Sequence, residues 1–131
     1  MISITKNVLE QIIAHAQRDL PNEACGYLAG NDGVITKAFE LTNTDHSSEH
    51  FSFDPAEQFA TVKQARNEQL TIIANYHSHP STPSRPSVED IKLAYDATIL
   101  YFIISLAEQK PVVKAFRIVD SVVTLEETQI I

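Results

Sequence analysis

The stretch from Leu70 to Asp90 constrains this chain more than any other. It opens with Leu70-Thr71-Ile72-Ile73-Ala74, whose β-branched residues read as a strand. The strand runs on through Tyr76-His77-Ser78-His79 and must stop at Pro80, which has no N–H to give to a ladder. Pro83 and Pro86 follow, and then Ser87-Val88-Glu89-Asp90 reads as the first turn of a helix with Ser87 as its N-cap.

Residues two apart on a strand point to the same side. His77 and His79 therefore project together, with Ser78 on the opposite face. Two imidazoles from a strand end and the carboxylate of Asp90 from a helix start can meet at one point. Two His and one carboxylate form a catalytic zinc set that leaves a fourth position for water. Zinc lowers the pKa of that water to about 7, and a further carboxylate is then needed to move protons. Each piece also has a plainer reading. An H-x-H pair often just ends a polar strand, and Ser-x-x-Asp resembles a helix-capping box with Asp in place of Glu.

A length of 131 residues with 44% hydrophobic content suits one folded domain, 1–131, with a real core. No apolar run is long enough for a membrane span. Met1-Ile2-Ser3-Ile4-Thr5-Lys6 lacks the form of a signal peptide. A single cysteine excludes an internal disulfide and cysteine-rich zinc sites. Together these predict a soluble, cytoplasmic protein. The net charge of -7 argues against nucleic acid as a partner, and no glycine fingerprint for phosphate is present.

Taken in order, Lys6 to Leu20 carries Val8, Leu9, Ile12, Ile13, Ala16 and Leu20 at helical spacing, with His15 as a boundary or surface residue. Pro21-Asn22 ends that helix. Glu23 to Ala29 and Val34 to Leu41 read as a hairpin around Asn31-Asp32-Gly33. On the first strand Cys25 reads as a packed small hydrophobe, because no His or Lys is placed by sequence to activate it.

Thr42 to Phe53 is a polar loop. His46 and His50 are solvated there, and Phe51 and Phe53 alternate as in a short strand. Asp54-Pro55-Ala56-Glu57 starts a second helix, which runs to about Gln69 and is expected to bury Ala56, Phe59, Ala60 and either Val62 or the stem of Lys63. In the third helix Val88, Ile91, Ala94 and Tyr95 form the expected buried face. Ile99 to Ile104 reads as a strand covered on both sides. Val112 to Val119 and Val122 to Leu125 form a second hairpin around Asp120-Ser121, and Thr128 to Ile131 either frays or adds to an edge. The fold class is α/β or α+β, a mixed sheet covered by helices.

His77-x-His79-Pro80, six further residues, and Ser87-x-x-Asp90 match the signature of the JAMM (MPN-plus) zinc metalloproteases without a gap. The upstream glutamate of that family resembles Glu23, in Asn22-Glu23-Ala24-Cys25-Gly26-Tyr27-Leu28. The likeness covers nearly the whole chain and is to the small prokaryotic branch. It implies a curved mixed sheet between helices, a fold akin to the cytidine deaminases. It also implies one Zn2+ held by His77, His79 and Asp90, Glu23 as proton shuttle, and Ser87 as a stabiliser of the oxyanion.

The implied reaction is hydrolysis of a peptide or isopeptide bond at the C-terminal tail of a ubiquitin-like or sulfur-carrier protein, with the Thr42 to Phe53 loop beside the substrate. Two other readings fit the same motifs: a non-catalytic MPN scaffold for protein interaction, and a cell-wall or phage-tail peptidase. A zinc nucleobase deaminase needs a P-C-x-x-C segment, which one cysteine cannot supply.

Overall fold

The computed structural model describes residues 1–131. Eight strands form one mixed sheet: β1 (Ile2–Ile4), β2 (Cys25–Asn31), β3 (Val34–Leu41), β4 (Thr71–His79), β5 (Leu100–Ser105), β6 (Val112–Val119), β7 (Val122–Glu126) and β8 (Thr128–Ile130). Their order across the sheet is β7-β6-β5-β4-β2-β3-β1-β8. The histidine-bearing strand β4 lies inside the sheet, antiparallel to β2 and parallel to β5. Irregularities at Leu28/Ala29 and Ala29/Gly30 break the ladders of β2, and such bulges bend a sheet.

Turn chemistry fixes both hairpins. Asp32 (φ 54°) and Gly33 (φ 75°) join β2 to β3, while Asp120 (φ 49°) and Ser121 (φ 65°) join β6 to β7. Two successive positive φ values are the tight-turn geometry whose twist matches that of paired strands. β1 was not expected from the sequence. It is three residues long, pairs parallel to β3, and receives β8 on its other side. The C-terminal segment is thus an edge strand.

The first helix, α1 (Lys6–Arg18), is capped by the Thr5 hydroxyl, which accepts from the Val8 N–H. Val8, Ile12 and Ala16 bury against Leu28, Tyr76 and Phe102 on one face of the sheet. His15 lies on that buried face, 3% exposed, and not at its boundary as expected. Two partners make this possible: Tyr76 Oη lies 2.6 Å from His15 Nδ1, and Asp19 Oδ2 lies 3.2 Å from Nε2. Leu20 falls beyond the helix and is exposed.

The other face carries α2 (Pro55–Asn67) and the short α3 (Val88–Lys92). Asp54 caps α2 with Pro55 at its first turn, as expected. Its buried face differs: Thr61 and Ala65 are buried and Val62 is half-buried, while Ala56, Phe59 and Ala60 are exposed. Small side chains at Thr61 and Ala65 let the helix lie close against Cys25, Tyr27 and Ala29. The third helix is also shorter than expected. Val88 and Tyr95 are exposed, and only Ile91 and Ala94 pack, against Tyr101, Ile103 and Phe116. Past Lys92 the chain turns, because the Tyr101 hydroxyl donates to the Asp96 carbonyl and accepts the Asp96 N–H.

Candidate active site

Three ligand atoms converge where β4 meets α3. His77 Nε2 and His79 Nε2 lie 3.1 Å apart, and Asp90 Oδ2 lies 3.1 Å and 3.0 Å from them. No other side chains gather as a cluster of three or more such donors. A tetrahedral zinc site with bonds of about 2.0–2.1 Å has edges of about 3.3 Å, so the triangle is the right size for one ion.

The protonation pattern fits a cation as well. His79 Nδ1 lies 2.9 Å from the Pro83 carbonyl, which can only accept, so Nδ1 carries the proton. His79 Nε2 is then the nitrogen turned toward Asp90; it donates to the carboxylate when it carries a proton and offers a lone pair to a metal ion when it does not. The same three atoms can therefore share protons in the metal-free site or ligate one ion that displaces them. His77 is held differently: its Nδ1 is buried without a partner, and its ring stacks on Phe51 at 4.7 Å and 25°.

The local fold sets this geometry. Ser78 faces away from the site, where its Oγ accepts the Ala24 N–H at 2.8 Å and ties β4 to the start of β2. The proline-rich loop is pinned to β5 by two hydroxyls, Ser84 donating to the Ile103 carbonyl and Ser105 to the Thr82 carbonyl. These bonds carry the chain back so that Asp90 faces the histidines. Ser87 and Asp90 form a reciprocal cap, each side chain accepting the other's backbone N–H. Burial alone would raise the Asp90 carboxyl, but donation from His77, His79 and the Ser87 N–H holds it well below the usual range. Burial pushes His79 down, yet Asp90 and the Pro83 carbonyl outweigh it and raise its pKa.

Glu23 precedes β2 instead of lying on it. The pairing of Cys25 with His77 places it across from His79, on the same face of the sheet. It is 3% exposed, and its Oε1 has no protein partner. Burial, opposed by His79 and reinforced by Asp90 and Glu89, raises its pKa to about 8. The Glu23 backbone is fixed by the 42–53 loop: its N–H donates to the Ser47 carbonyl, and the Asn43 amide donates to its carbonyl.

Asn43, Phe51, Ser78, Ser84 and Ser105 carry no signature in the sequence, since their partners are distant in the chain. His46 and His50 are exposed in the loop, as expected. Cys25 is buried opposite His77, and burial pushes its thiol up to about 12, so no thiolate is available near neutral pH.

A groove of about 710 Å³ opens from His77 and Asp90, lined by Tyr27, Phe51, Phe53, Ile72, Tyr101 and Ile118 among others. Residues 5–119 match the family described as Prok-JAB, prokaryotic homologs of the JAB domain. The chain belongs to the Prok-JAB family. Among curated relatives, it is 31% identical to a CysO-cysteine peptidase of Mycobacterium tuberculosis, over 100% of this chain and 92% of that protein. It is 34% identical to a probable TtuB-protein conjugate cleaving protease of Thermus thermophilus, over 72% and 64%. The solution structure of a Desulfitobacterium hafniense protein superposes with a TM-score of 0.92 at 48% identity, over 100% of this chain and 93% of that one. The mixed sheet flanked by helices is the fold that the motif likeness implied. No helix is long and apolar enough to cross a membrane.

Proposed function

We propose that this chain is a zinc-dependent hydrolase that cleaves a peptide or isopeptide bond at the C-terminal tail of a ubiquitin-like or sulfur-carrier protein. Residues 1–131 act as one catalytic domain, in the cytoplasm. The observation that carries this reading is the convergence of His77 Nε2, His79 Nε2 and Asp90 Oδ2 at the end of an apolar groove, with a buried carboxyl across from it. The relatives named for cleaving CysO-cysteine and TtuB conjugates support the substrate class.

His77, His79 and Asp90 would hold the ion. Zinc supplies an acidified water and a Lewis acid for the scissile carbonyl. Glu23 would take a proton from the attacking water and return it to the leaving amine. Its buried place across from His79, with Oε1 free of any protein partner, suits a group that exchanges protons with the site. The Ser87 Oγ accepts the Asp90 N–H, which leaves its O–H free to donate to the carbonyl oxygen as charge develops there. Ser87 is therefore a donor and not a nucleophile, and no acyl-enzyme forms.

The test is incubation of zinc-loaded protein with a CysO-cysteine adduct and with a TtuB-protein conjugate, beside Glu23→Gln. Cleavage of either by the wild type, with loss in the variant while zinc stays bound, supports the proposal. Zinc binding without cleavage of either, or of any tail peptide, favours a non-catalytic scaffold. Cleavage of a cell-wall peptide alone favours the other peptidase reading.

A further inference from the structure

Asn75 lies on the same face of β4 as His77, two residues before it, and borders the groove. Its neighbours across the ladders are Tyr27 on β2 and Tyr101 on β5. The Tyr27 hydroxyl is already engaged by Gln58, and the Tyr101 hydroxyl by Asp96. The Asn75 Oδ1 is buried with no partner, and its amide makes no hydrogen bond within the protein. Leaving a buried acceptor unpaired costs free energy in the unliganded protein. A leucine here would fit the apolar lining without that cost. The groove lining also contains no Lys or Arg, while Glu89, Asp90 and Asp96 are acidic.

From these observations we infer that the Asn75 carboxamide binds the backbone of the substrate, two residues from the scissile carbonyl on the acyl side, in an extended segment free of acidic side chains. This rests on the hydrolase reading above. The direction follows from Glu23. It sits at the His79 end of β4 and must protonate the leaving amine, so the amine lies at that end and the acyl part runs past His77 toward Asn75. The distance follows from strand geometry. Two residues of β4 span about 6.6 Å, which is one two-residue step of an extended peptide lying alongside. By rotating about its terminal bond, the carboxamide can donate to a carbonyl or accept from an N–H. Acidic side chains in the segment would meet Glu89 and Asp96.

The probe is a series of octapeptides with the CysO tail sequence joined to cysteine, one all-amide and the others each with a single ester in place of one backbone amide. Kinetics of the wild type and of Asn75→Leu give a double-mutant cycle. The expected result is a roughly tenfold drop in kcat/KM for Asn75→Leu on the all-amide peptide. The ester at the second residue on the acyl side should cost the wild type a similar factor and cost the variant nothing further, and esters elsewhere should affect both proteins alike. Asn75→Asp serves as a second variant should Asn75→Leu fold poorly.

Binding is read separately in metal-free protein, where the Asn75 side-chain amide resonance should shift on titration with the all-amide peptide. If the peptide binds with that shift but is never cleaved, the hydrolase reading fails and the Asn75 assignment stands. Cleavage with no coupling at that ester and no shift overturns the assignment, as does failure of all the peptides to bind.

Discussion

The Asp90 oxygen that accepts the Ser87 N–H at 2.9 Å is the same atom that faces both imidazoles. The cap of α3 and the candidate metal site therefore share one carboxylate, which the Ser87 backbone holds and the Ser87 hydroxyl does not. Ser87→Ala removes the hydroxyl that accepts the Asp90 N–H. It should cost about 0.5–2 kcal/mol of stability. With one oxyanion donor gone, kcat should fall by about 10²–10³ while zinc affinity changes much less. Thermal unfolding, steady-state kinetics and zinc titration on one preparation separate these effects. A loss of stability with unchanged kcat would leave Ser87 a cap only.

Phe51 is the single ring stacked on His77, and His77 has no hydrogen bond at Nδ1 to orient it. Phe51→Ala should therefore loosen the imidazole and the return of the 42–53 loop together. The expected outcome is a zinc affinity lowered about tenfold, measured by competition with a chelator, with little change in the fold by circular dichroism. Affinity equal to the wild type would show that the strand alone orients His77.

Glu23 titrates near 8 in the folded, metal-free protein against an ordinary value of 4.5. Between those values the folded state holds a proton that the unfolded chain has released. Stability of the metal-free protein should thus be greatest below about 4.5 with respect to this group, and should fall as pH rises toward 8. Glu23→Gln removes that slope and should be the more stable protein at pH 8, by about 1 kcal/mol or more. Urea unfolding at several pH values checks it. Parallel curves for the two proteins would contradict a buried, unpaired carboxyl.

On the opposite face of the sheet, the Tyr76 O–H donates to His15, whose other nitrogen meets Asp19. Burial lowers the pKa of His15 from its ordinary 6.5, although Asp19 opposes this. Below 6.5 the unfolded chain takes up a proton that the folded protein refuses. The stability from this group is therefore present above 6.5 and is lost as pH falls. Tyr76→Phe leaves His15 Nδ1 buried without a partner and should cost about 1–3 kcal/mol, read from denaturant midpoints. A midpoint unchanged at pH 7.5 would contradict the bond.

The gathering of His77, His79 and Asp90 was legible because each depends on local rules: a two-residue strand period, a proline stop and a helix cap. Glu23 was visible only through likeness to a family, since its place across from His79 is set by pairing between β2 and β4. The faces of α2 and α3 were not legible. Phe59, Val88 and Tyr95 are apolar but exposed, and what buries instead is decided by close approach at Thr61 and Ala65 and by the turn that Tyr101 imposes on Asp96. His15 was misplaced for a similar reason, because its burial depends on a tyrosine 61 residues away. β1 has three residues, too few to show a period.

The most direct test of the account is a zinc titration of chelator-treated protein by calorimetry, beside the His77→Ala/His79→Ala double variant and with elemental analysis of both. The account predicts one zinc per chain in the wild type and none in the variant. No zinc in either protein, with excess metal supplied, would contradict it.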